Sequence, residues 1–124
     1  FLRQPVAESK EPLPFLRPLA ANADAAVGVV GDYIALRGTM DAARLVDELI
    51  RHRDLPMLRY LRAWSYLKFT RMEAEAMTDL RAAAALPLDP PFPWRPLEKQ
   101  IIRDLAERFP DDAALQSWRR LVLD

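Results

Sequence analysis

The sequence predicts an all-α protein: about six helices, paired as three antiparallel helical hairpins, behind a proline-rich N-terminal arm. Three observations carry this. Apolar residues recur at three-and-four spacing through most of the chain, the signature of a one-faced helix. Glycine, threonine and proline interrupt that pattern at short intervals, where helices stop and restart. No segment reads as a strand. The boundaries that follow are an extended arm over residues 1–21 and a single helical-hairpin domain over 22–124, with a proline-rich connector at 87–96.

In the arm, Pro5, Pro12, Pro14 and Pro18 remove amide donors and bias their predecessors away from helix. Phe15, Leu16 and Leu19 lie among them, so the arm is expected to pack on an apolar surface, its own core or a partner. The first helix starts near Asn22 or Asp24, both competent N-caps. Val27, Val30 and Ile34 form its inner face. Gly28 and Gly31 cost about 1 kcal/mol each relative to alanine, a cost that suits a close helix approach. Their Gly-Val-Val-Gly run is neither a phosphate loop, which needs a following Lys-Ser/Thr, nor a nucleic-acid loop, which needs basic central residues and flanking strands.

Gly38 ends this helix and Thr39 is placed to cap the next. There Ala42, Ala43, Val46, Leu49 and Ile50 turn inward, while Asp47 with Arg51 and Arg44 with Glu48 pair across turns outside. Pro56 fits the first turn of the third helix, with Leu58, Leu61, Trp64 and Leu67 as its core face. The fourth turns Ala76, Leu80, Ala83 and Ala84 inward, and Glu73, Glu75 and Asp79 in its first half suit the macrodipole. Pro87 stops it and opens the connector, which contains Pro90, Pro93 and Arg95 at polyproline-ligand spacing and is expected to fold Phe92 and Trp94 back on the core. Leu97, Ile101, Ile102, Leu105 and Phe109 mark the fifth helix. After the Pro110-Asp111-Asp112 break, the sixth buries Ala114, Leu115, Trp118, Leu121 and Val122.

Composition narrows function. Lys plus Arg and Asp plus Glu both number 18, so no bulk positive charge marks a polyanion binder. With no cysteine and a single histidine, His52, no disulfide framework and no transition-metal site is expected, nor any cofactor. No apolar run approaches the roughly 20 residues of a membrane span. Catalysis is not expected either, since no nucleophile or base stands in a recognisable arrangement. The chain starts at Phe1, which suggests a processed organellar (mitochondrial) chain or a fragment, with the cytoplasm as the other leading compartment.

Shifting the chain by about 34 residues lays the first hairpin on the second: Val27 on Leu61, Val30 on Trp64, Gly31 on Ser65, Ala43 on Met77. Small Gly31, turn Gly38 and small Ala43, with apolar Val27, Val30 and Ile34, resemble the tetratricopeptide pattern over about half the chain. Lys68 and Met77 depart from it. The resemblance implies a helical-hairpin solenoid whose first helices line a concave face. Carried over to this sequence, it places Arg59, Arg62, Tyr66 and Phe69 together as partner-binding residues, beside Asp32 and Ala35. A carboxylate clamp for a peptide terminus is not implied, because Gly28, Asp32 and Tyr66 occupy its positions.

The expected function is a non-catalytic protein-interaction or scaffold module, an accessory subunit of a larger multiprotein assembly, since arginine and aromatic residues favour interface hot spots. The alternative is an RNA-binding helical repeat using the basic and aromatic face of residues 51–71, where Arg51, His52, Arg53, Arg59, Arg62, Lys68 and Arg71 gather near Tyr66 and Phe69.

Overall fold

The computed structural model describes residues 22–88 and 93–123. These form six helices and, among the described residues, no strand: α1 (Ala23–Leu36), α2 (Thr39–His52), α3 (Pro56–Phe69), α4 (Glu73–Ala84), α5 (Pro96–Arg108) and α6 (Ala113–Leu123). The packing of adjacent helices fits a hairpin arrangement. Within each pair, α1 meets α2, α3 meets α4 and α5 meets α6; between pairs, α3 also touches α1, α2 and α5, and α4 touches α6. The arm, with Phe15, Leu16 and Leu19, lies outside the described residues, as do Pro90 and Phe92 of the connector.

Local chemistry explains most boundaries. The Asn22 Oδ1 accepts the Ala25 amide at 3.0 Å and starts α1; the Asp112 Oδ1 accepts the Leu115 amide at 3.1 Å and starts α6. Each satisfies an amide that the helix itself leaves open. Pro56 and Pro96 occupy first-turn positions of α3 and α5, where no amide is missed. Gly38 adopts φ +94°, a conformation costly for residues with a Cβ, and its amide reaches back to the Tyr33 carbonyl at 2.9 Å. Thr39 does not cap α2 as expected. Gly38 holds the cap position, and the Thr39 hydroxyl instead meets the Ser65 hydroxyl at 2.6 Å inside the core.

The centre of the core is α3. From Pro56 to Tyr66 only Arg59 keeps partial solvent access, because α1, α2, α4 and α5 surround the helix. Each large apolar side chain buried this way contributes about 1.5–3 kcal/mol. Tyr60 meets Trp118 edge-on, with ring centroids 6.4 Å apart, joining α3 to α6. Leu121, expected inside, is exposed, and Ala84 likewise faces out. The pairs expected along the outside of α2 are also rearranged: Arg44 bonds Asp41 and Arg51 bonds Glu48, each three residues apart, which frees Asp47 for another partner.

The connector returns to the start of α1. Trp94 donates its indole N–H to Asp24 Oδ1 at 2.8 Å. Arg95 bridges Asp24 Oδ2 at 3.0 Å and Glu98 Oε2 at 2.7 Å, and its guanidinium lies over the Trp94 ring at 4.4 Å. The bridge rests on Gly28, where an added Cβ would sit 2.9 Å from Arg95 Nη2; at Gly31 the nearest neighbour would be Leu97 Cδ2 at 3.4 Å, an ordinary contact. Arg95, the basic residue of the polyproline-like spacing, is therefore engaged within the fold, and Pro93 is buried. Gly28 thus leaves room for the Arg95 side chain of the connector, not for a second helix, and Gly31 meets Leu97 of α5 only at ordinary distance.

Two outcomes follow for stability. Gly31→Ala is expected to stabilise by up to about 1 kcal/mol through helix propensity, whereas Gly28→Ala gains less because Arg95 must move. In an Arg95→Ala background the two should gain alike in thermal melts; equal gains in both backgrounds would show that Arg95 does not rest on Gly28. The Tyr60 hydroxyl is buried and finds no partner among the described residues, and burial, with the Asp112 charge, pushes its pKa well above the ordinary 10.0. The unfolded chain thus releases this proton first, so stability is intact below about pH 10 and falls as pH rises further. Tyr60→Phe should cost at most about 0.5 kcal/mol at neutral pH and flatten that alkaline loss in urea titrations; an unchanged slope would contradict the assignment.

Candidate functional site

The structure does not lay Arg59, Arg62, Tyr66 and Phe69 out as one open face. Arg62 and Tyr66 are each only 7% exposed, and Arg59 is largely covered. Phe69 alone stands in solvent, at 58%.

The reason is electrostatic. Asp79 on α4 is 2% exposed. Arg62 approaches it in a two-pronged pair, Nε to Oδ2 and Nη2 to Oδ1, both at 2.8 Å. The same guanidinium donates to Asp47 and to the Ala43 carbonyl on α2. Arg59 adds a bond to Asp79 at 3.1 Å and a second two-pronged pair with Asp54, at 3.0 and 2.9 Å. Five charged side chains thereby tie α2, α3, α4 and the α2–α3 turn. Burial pulls the Arg62 pKa down, but Asp79 and Asp47 outweigh it, and the net shift is upward. For Arg59 the bond to Asp54 raises the pKa, against burial. Tyr66 lies beside this network; burial raises its phenol pKa, and the Arg62 charge partly offsets that.

A sequence signal for this network exists. Arg62 lies eight residues before Thr70, and Asp79 eight residues after Arg71. Folding an antiparallel hairpin at that turn sets the two opposite each other. Helical spacing alone hides this, because it groups residues along one helix and not across a turn.

An open groove lies between α3 and α5, with a volume of about 370 Å³, lined by Trp64, Leu67, Lys68, Asp104, Leu105, Glu107 and Arg108. Trp64 donates its indole N–H to Asp104 Oδ2 at 3.2 Å, and Gln100 donates to the other oxygen at 2.7 Å, which sets the indole plane. The Lys68 ammonium lies 5.1 Å from the Trp64 ring centroid. Phe69 packs edge-on against Trp64, centroids 5.8 Å apart. Arg108 reaches Glu73 at 3.4 Å, both well exposed. Of the residues expected at a partner surface, only Phe69 adjoins this groove. The fifth-helix side, Asp104 to Arg108, was not singled out from sequence, since solvent-facing charges on an amphipathic helix look alike until a neighbour is placed beside them.

The expected basic face of residues 51–71 is likewise divided. Arg51, Arg59 and Arg62 are paired with Glu48, Asp54, Asp79 and Asp47, while His52, Arg53, Lys68 and Arg71 are exposed. Among the described residues, no helix is long and apolar enough to cross a membrane, and no three His, Cys, Asp or Glu side chains gather as a metal site. Comparison with protein-family models, with curated proteins and with solved structures yields no match.

Asp79→Asn should destabilise by about 3–5 kcal/mol, the usual cost of leaving one side of a buried ion pair uncompensated, read by urea denaturation. Arg59→Glu with Arg62→Glu should lower the melting temperature strongly, because both new carboxylates face Asp79. A near-wild-type melt for either variant would place the pair outside the core.

Proposed function

We propose that this chain is a non-catalytic protein-interaction module, an accessory or scaffold subunit of a larger assembly, and that its partner-facing surface is the α3–α5 groove with Phe69 at its rim. One observation carries the reading: a large aromatic side chain, Phe69, stands 58% exposed and packs edge-on against the buried Trp64, whose ring lines an open groove between two helices. Exposed apolar surface rimmed by polar groups marks interaction sites, and aromatic anchors contribute most of the energy at such sites. The buried charges are already neutralised within the fold, so the scaffold holds its shape without a partner.

RNA binding is the weaker reading. It keeps the exposed cations Lys68 and Arg71 with Phe69, but Arg51, Arg59 and Arg62 are held by carboxylates. Neutralising phosphate with those three would require breaking ion pairs that the fold uses.

The test compares native capture by the intact chain with capture by Phe69→Ser. Because Phe69 is exposed, the substitution should change stability by no more than about 0.5 kcal/mol, while the co-purifying partner falls away. An unchanged partner set would remove the groove from the proposal. Single-stranded RNA binding that weakens steeply with added salt would favour the nucleic-acid reading instead.

A further inference from the structure

The α3–α5 groove already contains a cation. The Lys68 ammonium sits 5.1 Å from the centre of the Trp64 ring, within the distance at which the ring quadrupole attracts a positive charge. Lys68 is exposed and forms no ion pair among the described residues. Among the described residues, the ring is the one contact recorded for its head group. With Lys68 turned away, the lining presents the Trp64 ring, the Asp104 and Glu107 carboxylates, and Arg108. Arg108 faces Glu73 at 3.4 Å, so part of its charge is already answered. The residual character of the groove is then an aromatic wall with a negative edge, complementary to a cation.

From this we infer that the groove accepts the cationic side chain of an arginine or lysine in a basic segment of the protein partner, and that Lys68 occupies the same place until that segment arrives. This rests on the groove being a protein-interaction surface. Charge complementarity selects the occupant: an acidic segment would meet the negative charges of Asp104 and Glu107, and a purely apolar one would leave Glu107 unanswered, Asp104 being already bonded to Trp64 and Gln100. Leu67 and Leu105 in the lining take the aliphatic stem of the entering residue, since long basic side chains bury their stems against apolar surface while the head group stays polar.

The experiment follows the Trp64 indole N–H resonance of the full chain during titration with the peptide acetyl-Leu-Arg-Leu-amide, and with the same peptide carrying citrulline in place of arginine. The two differ at one group, where a carbonyl oxygen replaces a protonated NH2 and removes the positive charge with one donor. The arginine peptide should shift the resonance and the citrulline peptide should not. Lys68→Met, which keeps the stem and removes the competing ammonium, should tighten binding of the arginine peptide by roughly two- to fivefold, the worth of one exposed cation–π contact. Glu107→Gln should weaken it. No shift with the arginine peptide in either the wild-type chain or Lys68→Met overturns the inference, as does an equal response to citrulline. If Phe69→Ser abolishes partner capture while the arginine peptide fails to bind, the interaction surface stands and the cation assignment falls. If the arginine peptide binds while capture ignores Phe69→Ser, the cation site stands and the reading of the groove as the partner surface falls.

Discussion

A charge inside the central helix is the constraint around which this fold is arranged. Because four other helices enclose α3 from Pro56 to Tyr66, a charge buried on that stretch must find its partner within the protein. Arg62 does so by gripping Asp79 on one side and Asp47 with the Ala43 carbonyl on the other. A buried pair of this kind adds little net stability over a well-packed apolar alternative, since desolvation consumes most of the attraction. Its consequence is geometric. The register of α2, α3 and α4 brings Asp47, Arg62 and Asp79 together, and a register that parted Arg62 from Asp79 would leave a charge stranded in the core. The Thr39–Ser65 hydroxyl contact acts in the same sense between α2 and α3, on a smaller scale.

That arrangement explains what could be read in the sequence and what could not. Helix positions follow from local chemistry, and local chemistry is visible: Asn22, Gly38, Pro56, Pro96 and Asp112 start or stop elements where their side chains dictate. The inner faces of α1 and α5 were equally legible, because each of those helices has a single apolar stripe. The third helix does not. Its sequence alternates large apolar, aromatic and basic residues with no clean polar side, and a reading that assumes one buried face assigns the remainder to solvent. Arg59, Arg62 and Tyr66 then look like a surface, when they are the side of α3 that meets α2 and α4. Helical periodicity reports how residues group along an element. How many neighbours enclose it depends on the stacking of whole hairpins.

The same misassignment conceals where binding chemistry remains. Arginine beside aromatic residues describes both an interface hot spot and an internal staple, and composition does not separate them. Carboxylates within reach do. Where they stand close and buried, as around Arg59 and Arg62, the guanidinium is a structural element and its charge is unavailable to a partner. Where they do not, as at Lys68, the cation rests on an aromatic ring. Exposed charge that is weakly held, next to apolar surface, is therefore the more useful mark of a docking surface than the density of basic residues.

The width of the groove is in turn set by one contact within its lining and by others remote from it. One wall is α3, fixed by the buried ion pairs. The other is α5, held to α3 by the Trp64–Asp104 bond and anchored at its first turn by Arg95. Arg95 reaches Asp24 past Gly28, where an added Cβ would lie 2.9 Å from Arg95 Nη2, so the missing side chain on α1 leaves room for the guanidinium. Glu98, 3% exposed, has one oxygen bound to Arg95 and the other without a partner among the described residues. This leaves the carboxylate dependent on a single guanidinium, and loss of that guanidinium would strand it in the core. Arg95 thus links the buried Glu98 in the first turn of α5 to the partly exposed Asp24 at the start of α1. The groove between α3 and α5 inherits its shape from that tie, which lets a surface with few contacts of its own remain preformed.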